Sequence, residues 1–337
     1  MGKARKTAAQ IVVIGGANID IQGQASSVFR LGDSNPGRIG TAFGGVGRNV
    51  AEACVRLGLE LSLITVFGGD PDGERMEADC RAKGIDTGWS LHREGPSARY
   101  LCALDADGSL VGAVADMEAL DVLLPRHLDA LVKDLDKAAC IVADTNIPRD
   151  SLVWLCRRYG RRSGVIQSAG RPLLFLDTVS EAKAVKASGL FGEFDCIKPN
   201  MREAMIMASG GPAPENSDEN PALIRALIER RDSLPVELYI SLGSKGMYYS
   251  ANGEAGRIPL PPEELRPSVR NRSGAGDCAL AGLVWASIEG CKPREKVYYA
   301  LSAALLASAS AQPVPEDLDE KKLRSLAALI AEKELVR

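Results

Sequence analysis

A carboxylate at the start of a helix, directly after two closely spaced glycines, is equipped to move a proton beside an anion. Gly274-Ala275-Gly276-Asp277 is such a stretch, preceded by Arg272-Ser273 and followed by an apolar run, Cys278 to Ile288, that reads as a buried helix. The glycines let the backbone turn tightly and aim several N–H groups at one point. The helix N-terminus adds roughly half a positive charge there, which suits an anion such as a transferring phosphoryl group. Asp277 then stands where it can take the proton of an attacking hydroxyl. The same tetrapeptide alone also serves as a turn with an N-cap, so features elsewhere decide between the two.

Four other stretches carry polar groups at suggestive spacings. Gly44-Gly45-Val46-Gly47-Arg48-Asn49 runs into Val50, Cys54 and Leu57 at helical spacing, with Gly58 as a stop. It lacks the third glycine of a dinucleotide fingerprint and no clear strand leads into it, which argues against a nicotinamide-dependent oxidoreductase. Its glycines still allow a ligand to approach, and Asn49 emerges in the first helical turn. Asn200-x-x-Glu203 opens another helix, after Lys198-Pro199. Ser241-Leu242-Gly243-Ser244-Lys245-Gly246 forms a strand-to-strand turn. Asn18 and Asp20 follow the first strand, at the edge where open α/β sheets bind ligands, or else satisfy turn backbone. Lys198 and Lys245 either touch phosphate or are ordinary charges.

These groups need a frame. Ile11–Ile14, Leu61 to Phe67, Cys140 to Ala143, Leu173 to Leu176, Cys196-Ile197 and Leu238 to Ile240 read as buried strands. Asp144 and Asn146 follow the third, Asp177 the fourth. Helices fall between them: one from Asp70-Pro71 to Gly84, one over Asp150 to Tyr159, and one through Glu203 to Met207. Arg294 to Ala311 and Leu318 to Leu335 close the chain as helices. Repeated strand-then-helix units predict an α/β domain, doubly wound around a mainly parallel sheet. Residues 21–43 have no helical period and read as short irregular strands or a flap. Arg99 to Val114 reads as a hairpin turning at Asp107-Gly108, and Asp116-Met117 close that segment. Segments 21–43 and 97–116 therefore predict a small sheet set apart as a lid.

Composition narrows the class. At 337 residues the chain fits one large domain or two small ones, and 45% hydrophobic residues are ample for a core. A net charge of −3 argues against a general nucleic-acid binder. The eight cysteines form no Cys-x-x-Cys pair and only two histidines exist, which speaks against zinc and for reduced thiols of a cytoplasmic enzyme. No apolar run is long enough for a membrane span, and Ile11–Ile14 is too short for a signal-peptide core. Residues 1–9 read as a disordered tail before one domain over 10–337, and 210–221 as a solvated loop.

Taken in order, Gly44-Gly45-x-x-x-Asn49, Asn200-x-x-Glu203, Gly243-x-Lys245-Gly246 and Gly274-Ala275-Gly276-Asp277 resemble the ribokinase-like (PfkB) carbohydrate kinase family over about residues 11–315. The resemblance implies a phosphotransferase using ATP and Mg²⁺. It makes Asp277 the catalytic base and Gly274, Ala275 and Gly276 the anion hole. Asn200 would lie near the nucleotide phosphates, and Glu203 would organise Mg²⁺ through water. Ser241, Gly243, Lys245 and Gly246 would line the nucleotide. Asn18, Asp20, Asp33, Gly44, Gly45, Asn49 and Asn146 would hold the sugar or nucleoside. Many members have an aspartate where this chain has Asn271, which bears on activation by K⁺, and Ala-Phe where this chain has Cys278-Ala279. Within the family, Asp33-Ser34-Asn35-Pro36-Gly37, Asp107-Gly108, Ala115-Asp116-Met117 and Asp177-Thr178-Val179-Ser180 with Lys183 look like the pseudouridine kinases. That branch implies phosphorylation of a nucleoside 5′-hydroxyl and a homodimer paired through the lid. A ribokinase or general nucleoside kinase, and a non-catalytic ligand-binding regulator, are the rival readings.

Overall fold

Four consecutive apolar residues, Ile11–Ile14, are completely buried because their strand is flanked by a parallel neighbour on each side. The computed structural model describes residues 10–164, 170–209, 235–271 and 273–335. The expected tail at 1–9, the expected loop at 210–221 and Arg272 lie outside them. The strands in the first half are β1 (Ile11–Ile14), β2 (Asn18–Ala25), β3 (Gly37–Gly44), β4 (Leu61–Ile64) and β5 (Val66–Gly68). β6 (Leu91–Arg93), β7 (Arg99–Leu104), β8 (Leu110–Asp116) and β9 (Cys140–Asp144) follow. The second half holds β10 (Leu173–Asp177), β11 (Cys196–Ile197), β12 (Glu237–Ser241), β13 (Met247–Ala251) and β14 (Glu254–Ile258).

The main sheet has the order β14-β13-β12-β11-β10-β9-β1-β4, parallel from β12 to β4 and antiparallel across β12, β13 and β14. Because side chains alternate across a strand, Ile11 and Val13 join one apolar layer and Val12 and Ile14 the other. Helices Val46–Arg56, Ala275–Ile288 and Pro293–Ser308 cover the first face. Helices Arg149–Tyr159 and Met201–Ser209 cover the second. Ala275–Ile288 is buried continuously from Cys278 to Ala286, so an all-apolar sequence rather than an amphipathic one suits it. The expected doubly wound α/β architecture is therefore present.

Three details differ from the sequence reading. Residues 21–43 are more regular than expected: β2 and β3 are two antiparallel strands of eight residues each, joined by an irregular loop over 26–36. They join β7 and β8 in a separate sheet of order β3-β2-β7-β8. The run Leu61 to Phe67 is not one strand. It breaks at Thr65, whose N–H donates to the Ser90 hydroxyl oxygen at 3.2 Å, and β5 pairs with β6 instead. An edge strand, β14, follows β13 through Asn252-Gly253, both at positive φ, a turn that Asn-Gly favours.

Candidate active site

The anion-site geometry begins at Gly274, the N-cap of the Ala275–Ile288 helix, with φ 77°. A Cβ there would lie 2.1 Å from the Pro313 carbonyl oxygen, so no other residue fits without displacing the loop. The turn leaves the first N–H groups of a fourteen-residue helix directed outward beside Asp277. Asn49 reaches across from the Val46–Arg56 helix and donates its amide to Asp277 Oδ2 at 2.8 Å. Desolvation of the carboxyl, reinforced by the nearby negative charge of Asp177, pushes the Asp277 pKa up to about 7, against the lowering effect of Asn49 and Lys198.

The carboxyl ends of β9, β10 and β11 supply the floor. Asp144 accepts from the N–H of Gly16 and from that of Asn146, each at 2.8 Å. Its pKa is raised, chiefly by burial. Asp177 accepts from the Val179 N–H at 2.7 Å, which holds Val179 at φ 61°, a conformation that β-branched residues rarely adopt. Lys198, buried just past β11, pairs with Asp177 at 3.5 Å and faces Glu203 and Asp277 as well. Its Nζ lies 3.6 Å from the point that a Cβ on Gly276 would occupy. Lys198 is thus a buried, paired cation close to the Gly276 turn and not a solvated charge. A lone lysine carries no local signal for that.

Asn200 and Glu203 bind one another reciprocally. The Asn200 N–H and amide donate to Glu203 at 2.9 and 2.7 Å, and the Glu203 N–H donates to Asn200 Oδ1 at 2.9 Å. Thr178 adds its hydroxyl at 2.6 Å, a partner sequence reasoning missed. Burial, then the charge of Asp177, raises the Glu203 pKa. Among the described residues, no three His, Cys, Asp or Glu form a metal-holding group. Both Glu203 oxygens already accept from protein donors, so the residue fits a metal approached through water better than one bound directly.

Ser241 ends β12, and its N–H donates to the Pro199 carbonyl at 2.9 Å, which joins this strand to the Asn200 turn. Gly243 and Gly246 both have positive φ, and Lys245 is exposed on the short turn between them. Asn18 donates to Asp20 Oδ1 at 2.6 Å at the base of β2, opposite Gly44, while Gly45 lies against the backbone of Gly16 and Ala17. A Cβ on Gly44 would strike the Asp20 carboxylate, and burial raises the Asp20 pKa. Asn146 accepts from Lys183 at 2.5 Å, and burial lowers the Lys183 pKa.

Asp33 stands apart from these groups. It lies in the exposed loop between β2 and β3, and Ala25 at the tip of β2 is about 23 Å from Asn18 along the strand. There it borders a cavity of about 370 Å³ with Phe29, Asn35 and Arg38, on the small sheet. Asn271 accepts from the Ser273 N–H at 2.9 Å and donates to the Ala311 carbonyl at 3.3 Å. It presents no carboxylate to a monovalent cation.

The pfkB family carbohydrate kinase model matches residues 8–316, and the chain belongs to that family. It is thus a phosphotransferase of sugars or nucleosides. The chain is 29% identical over 299 residues to pseudouridine kinase of Escherichia coli, covering 88% of this chain and 90% of that one. It is 30% identical over 301 residues to an uncharacterized sugar kinase from the same strain, covering 89% and 78%. The solved carbohydrate kinase from Agrobacterium tumefaciens is 27% identical with a TM-score of 0.75, covering 95% of this chain and 97% of that one. Arabidopsis thaliana ribokinase, complexed with ribose and ATP, has a TM-score of 0.76 at 21% identity, covering 95% and 99%, and shows the fold alone. The ribokinase-like architecture and the family read from the motifs are both borne out.

Proposed function

We propose that this chain transfers the γ-phosphoryl group of ATP to the 5′-hydroxyl of pseudouridine. The observation that carries the reading is the Asp277 carboxyl beside a helix N-terminus, with a pKa of about 7 that lets it accept a proton near neutrality. Asp277 takes the hydroxyl proton while the oxygen bonds to the γ-phosphorus and the bond to the β–γ bridging oxygen breaks, releasing ADP. N–H groups of Gly274, Ala275 and Gly276, with the Lys198 ammonium, receive the charge of the moving group. Glu203 would hold Mg²⁺ through water, with Asn200 beside the nucleotide phosphates, and the ion would supply neutralising charge there. Ser241 to Gly246 lines the nucleotide, with Lys245 at its edge. Asn18, Asp20, Gly44, Gly45, Asn49 and Asn146 hold the acceptor.

The acceptor is inferred from the similarity to the Escherichia coli pseudouridine kinase, joined by an Arabidopsis thaliana pseudouridine kinase at 23% identity. The ribokinase of Haemophilus influenzae, 25% identical over 307 residues, keeps ribose as the rival acceptor. The small sheet acts as a lid over the acceptor and as the face of a homodimer. Ile39, Leu101 and Val114 support the dimer: pleat and register put them on one face, 79, 49 and 67% exposed. All eight cysteines are free thiols, which supports a cytoplasmic setting.

The test is ATP consumption by the purified protein with pseudouridine, uridine, adenosine, ribose and fructose, with Mg²⁺ and with or without K⁺. Fastest turnover of pseudouridine is expected. Faster turnover of ribose or adenosine would keep Asp277 and discard the acceptor. Silence on every acceptor would favour a ligand-binding regulator.

A further inference from the structure

Arg48 is buried to 3% exposure one residue before Asn49, at a position where nothing in the chemistry above requires a charge. Its guanidinium is a branched connector. Nη1 donates to the Asn49 side-chain oxygen at 3.3 Å and to the Phe43 carbonyl, near the end of β3, at 3.2 Å. Nη2 pairs with Asp79 at 2.6 Å and with Glu52 at 3.1 Å. We propose that Arg48 is a positioning residue: by holding the Asn49 oxygen, it turns the Asn49 amide N–H toward Asp277 and keeps it there.

The physical reason lies in the near-symmetry of an amide. Oxygen and nitrogen exchange places by a half-turn, and only partners decide which end faces where. A flipped Asn49 would present an oxygen to the Asp277 carboxylate and repel it. Arg48 removes that choice, because a guanidinium can only donate. Burial raises the Asp20 pKa, and the same Arg48 charge works against that rise alongside Asn18. Asp277 is also faced by Asp177, Lys198 and Asp144, and Arg48 by Cys80, Glu52 and Asp79; none of these fixes the amide. The inference rests on the proposed role of Asp277 as base, but not on which acceptor is used.

The primary variant is R48K, which keeps a cation for Glu52 and Asp79 but loses the fork. R48M combined with E52Q is the second, since Asp79 retains Lys83 at 3.0 Å. Two readouts are taken, each also in an N49A background. The first is the pH dependence of kcat with the best acceptor. The second needs no turnover: the Asp277 titration, followed by carboxyl ¹³C NMR and assigned with D277N. R48K is expected to lower kcat about tenfold and to raise the Asp277 pKa by about half a unit or more. Neither change should recur when Asn49 is already alanine. An unchanged pKa in folded R48K and in the double variant, or an equal shift in the N49A background, would overturn the proposal. A shifted titration in a protein that phosphorylates no acceptor would leave it standing and remove the kinase reading.

Discussion

Asn49 donates to the carboxylate of Asp277 at 2.8 Å although 228 residues separate them. The bond favours the charged carboxylate, while burial and the neighbouring aspartates favour the neutral acid. The balance leaves Asp277 poised near pH 7, as a general base requires.

Replacing Asp277 by asparagine removes the proposed proton acceptor with little change in shape. D277N is expected to lower kcat by about 10²-fold or more, with a smaller effect on acceptor KM. Stability should respond in the other sense. The folded pKa lies above the unfolded one, so the contribution of the protonated carboxyl to stability is complete below about pH 4. It is lost as pH rises to about 7. D277N should therefore melt higher than the parent near pH 8, and the gap should narrow toward pH 4. A lower Tm for D277N at the alkaline end would contradict the raised pKa.

Lys198 is the one cation acting on Asp277 among the leading causes of its shift. K198M should move the acid limb of the kcat/KM profile upward by about one unit and depress the plateau. A plateau loss without movement of the limb would restrict Lys198 to phosphate binding.

Glu203 is proposed to act on the metal through water. E203Q is expected to raise the Mg²⁺ concentration for half-maximal rate by about tenfold, within the range for outer-shell ligands, and to leave acceptor KM nearly unchanged. Mg²⁺ titrations at saturating ATP and acceptor measure this. No change in Mg²⁺ demand would assign Glu203 to holding Thr178 and Asn200 only.

Two glycines with positive φ should respond differently to alanine. At Gly243 no atom lies within 4 Å of an added Cβ, so G243A should lose only the left-handed penalty, about 1–2 kcal/mol. At Gly274 the Pro313 carbonyl adds a clash, so urea unfolding should show a larger loss.

The proposed dimer face is apolar, so a pair of charges should open it. I39E/V114E is expected to sediment at half the parent mass without a change in circular dichroism. A parent already monomeric at micromolar concentration would remove the dimer.

Much of the frame was legible because buried parallel strands are short apolar runs, and β1, β9, β10 and β11 show that pattern directly. The placement of Asp277 in the first turn of a buried helix was legible because that signal is local: two glycines, an acid and an apolar run. Lys198 and Thr178 were not, since each acquires its partner only when separate strands end side by side. Residues 21–43 looked irregular because glycine, serine and asparagine obscure the alternation of a sheet whose outer part is exposed. Asp33 was grouped with the acceptor residues by motif alone, whereas β2 carries it away from them. The Asn252-Gly253 pair is by itself a strong local hairpin signal. It announces β14, which contributes few buried side chains.

The apolar layer that contains β1 also contains the Ala275–Ile288 helix and reaches Ile330. A ribosome releases the first of these long before the last. At about 5–20 residues per second, the interval is on the order of ten seconds to a minute. Throughout it, Ile11, Val13 and the apolar face of the Val46–Arg56 helix lack their final cover. β1 therefore waits longest of the described strands for burial, and exposure of the nascent chain to aggregation is governed by when the Ala275–Ile288 helix arrives.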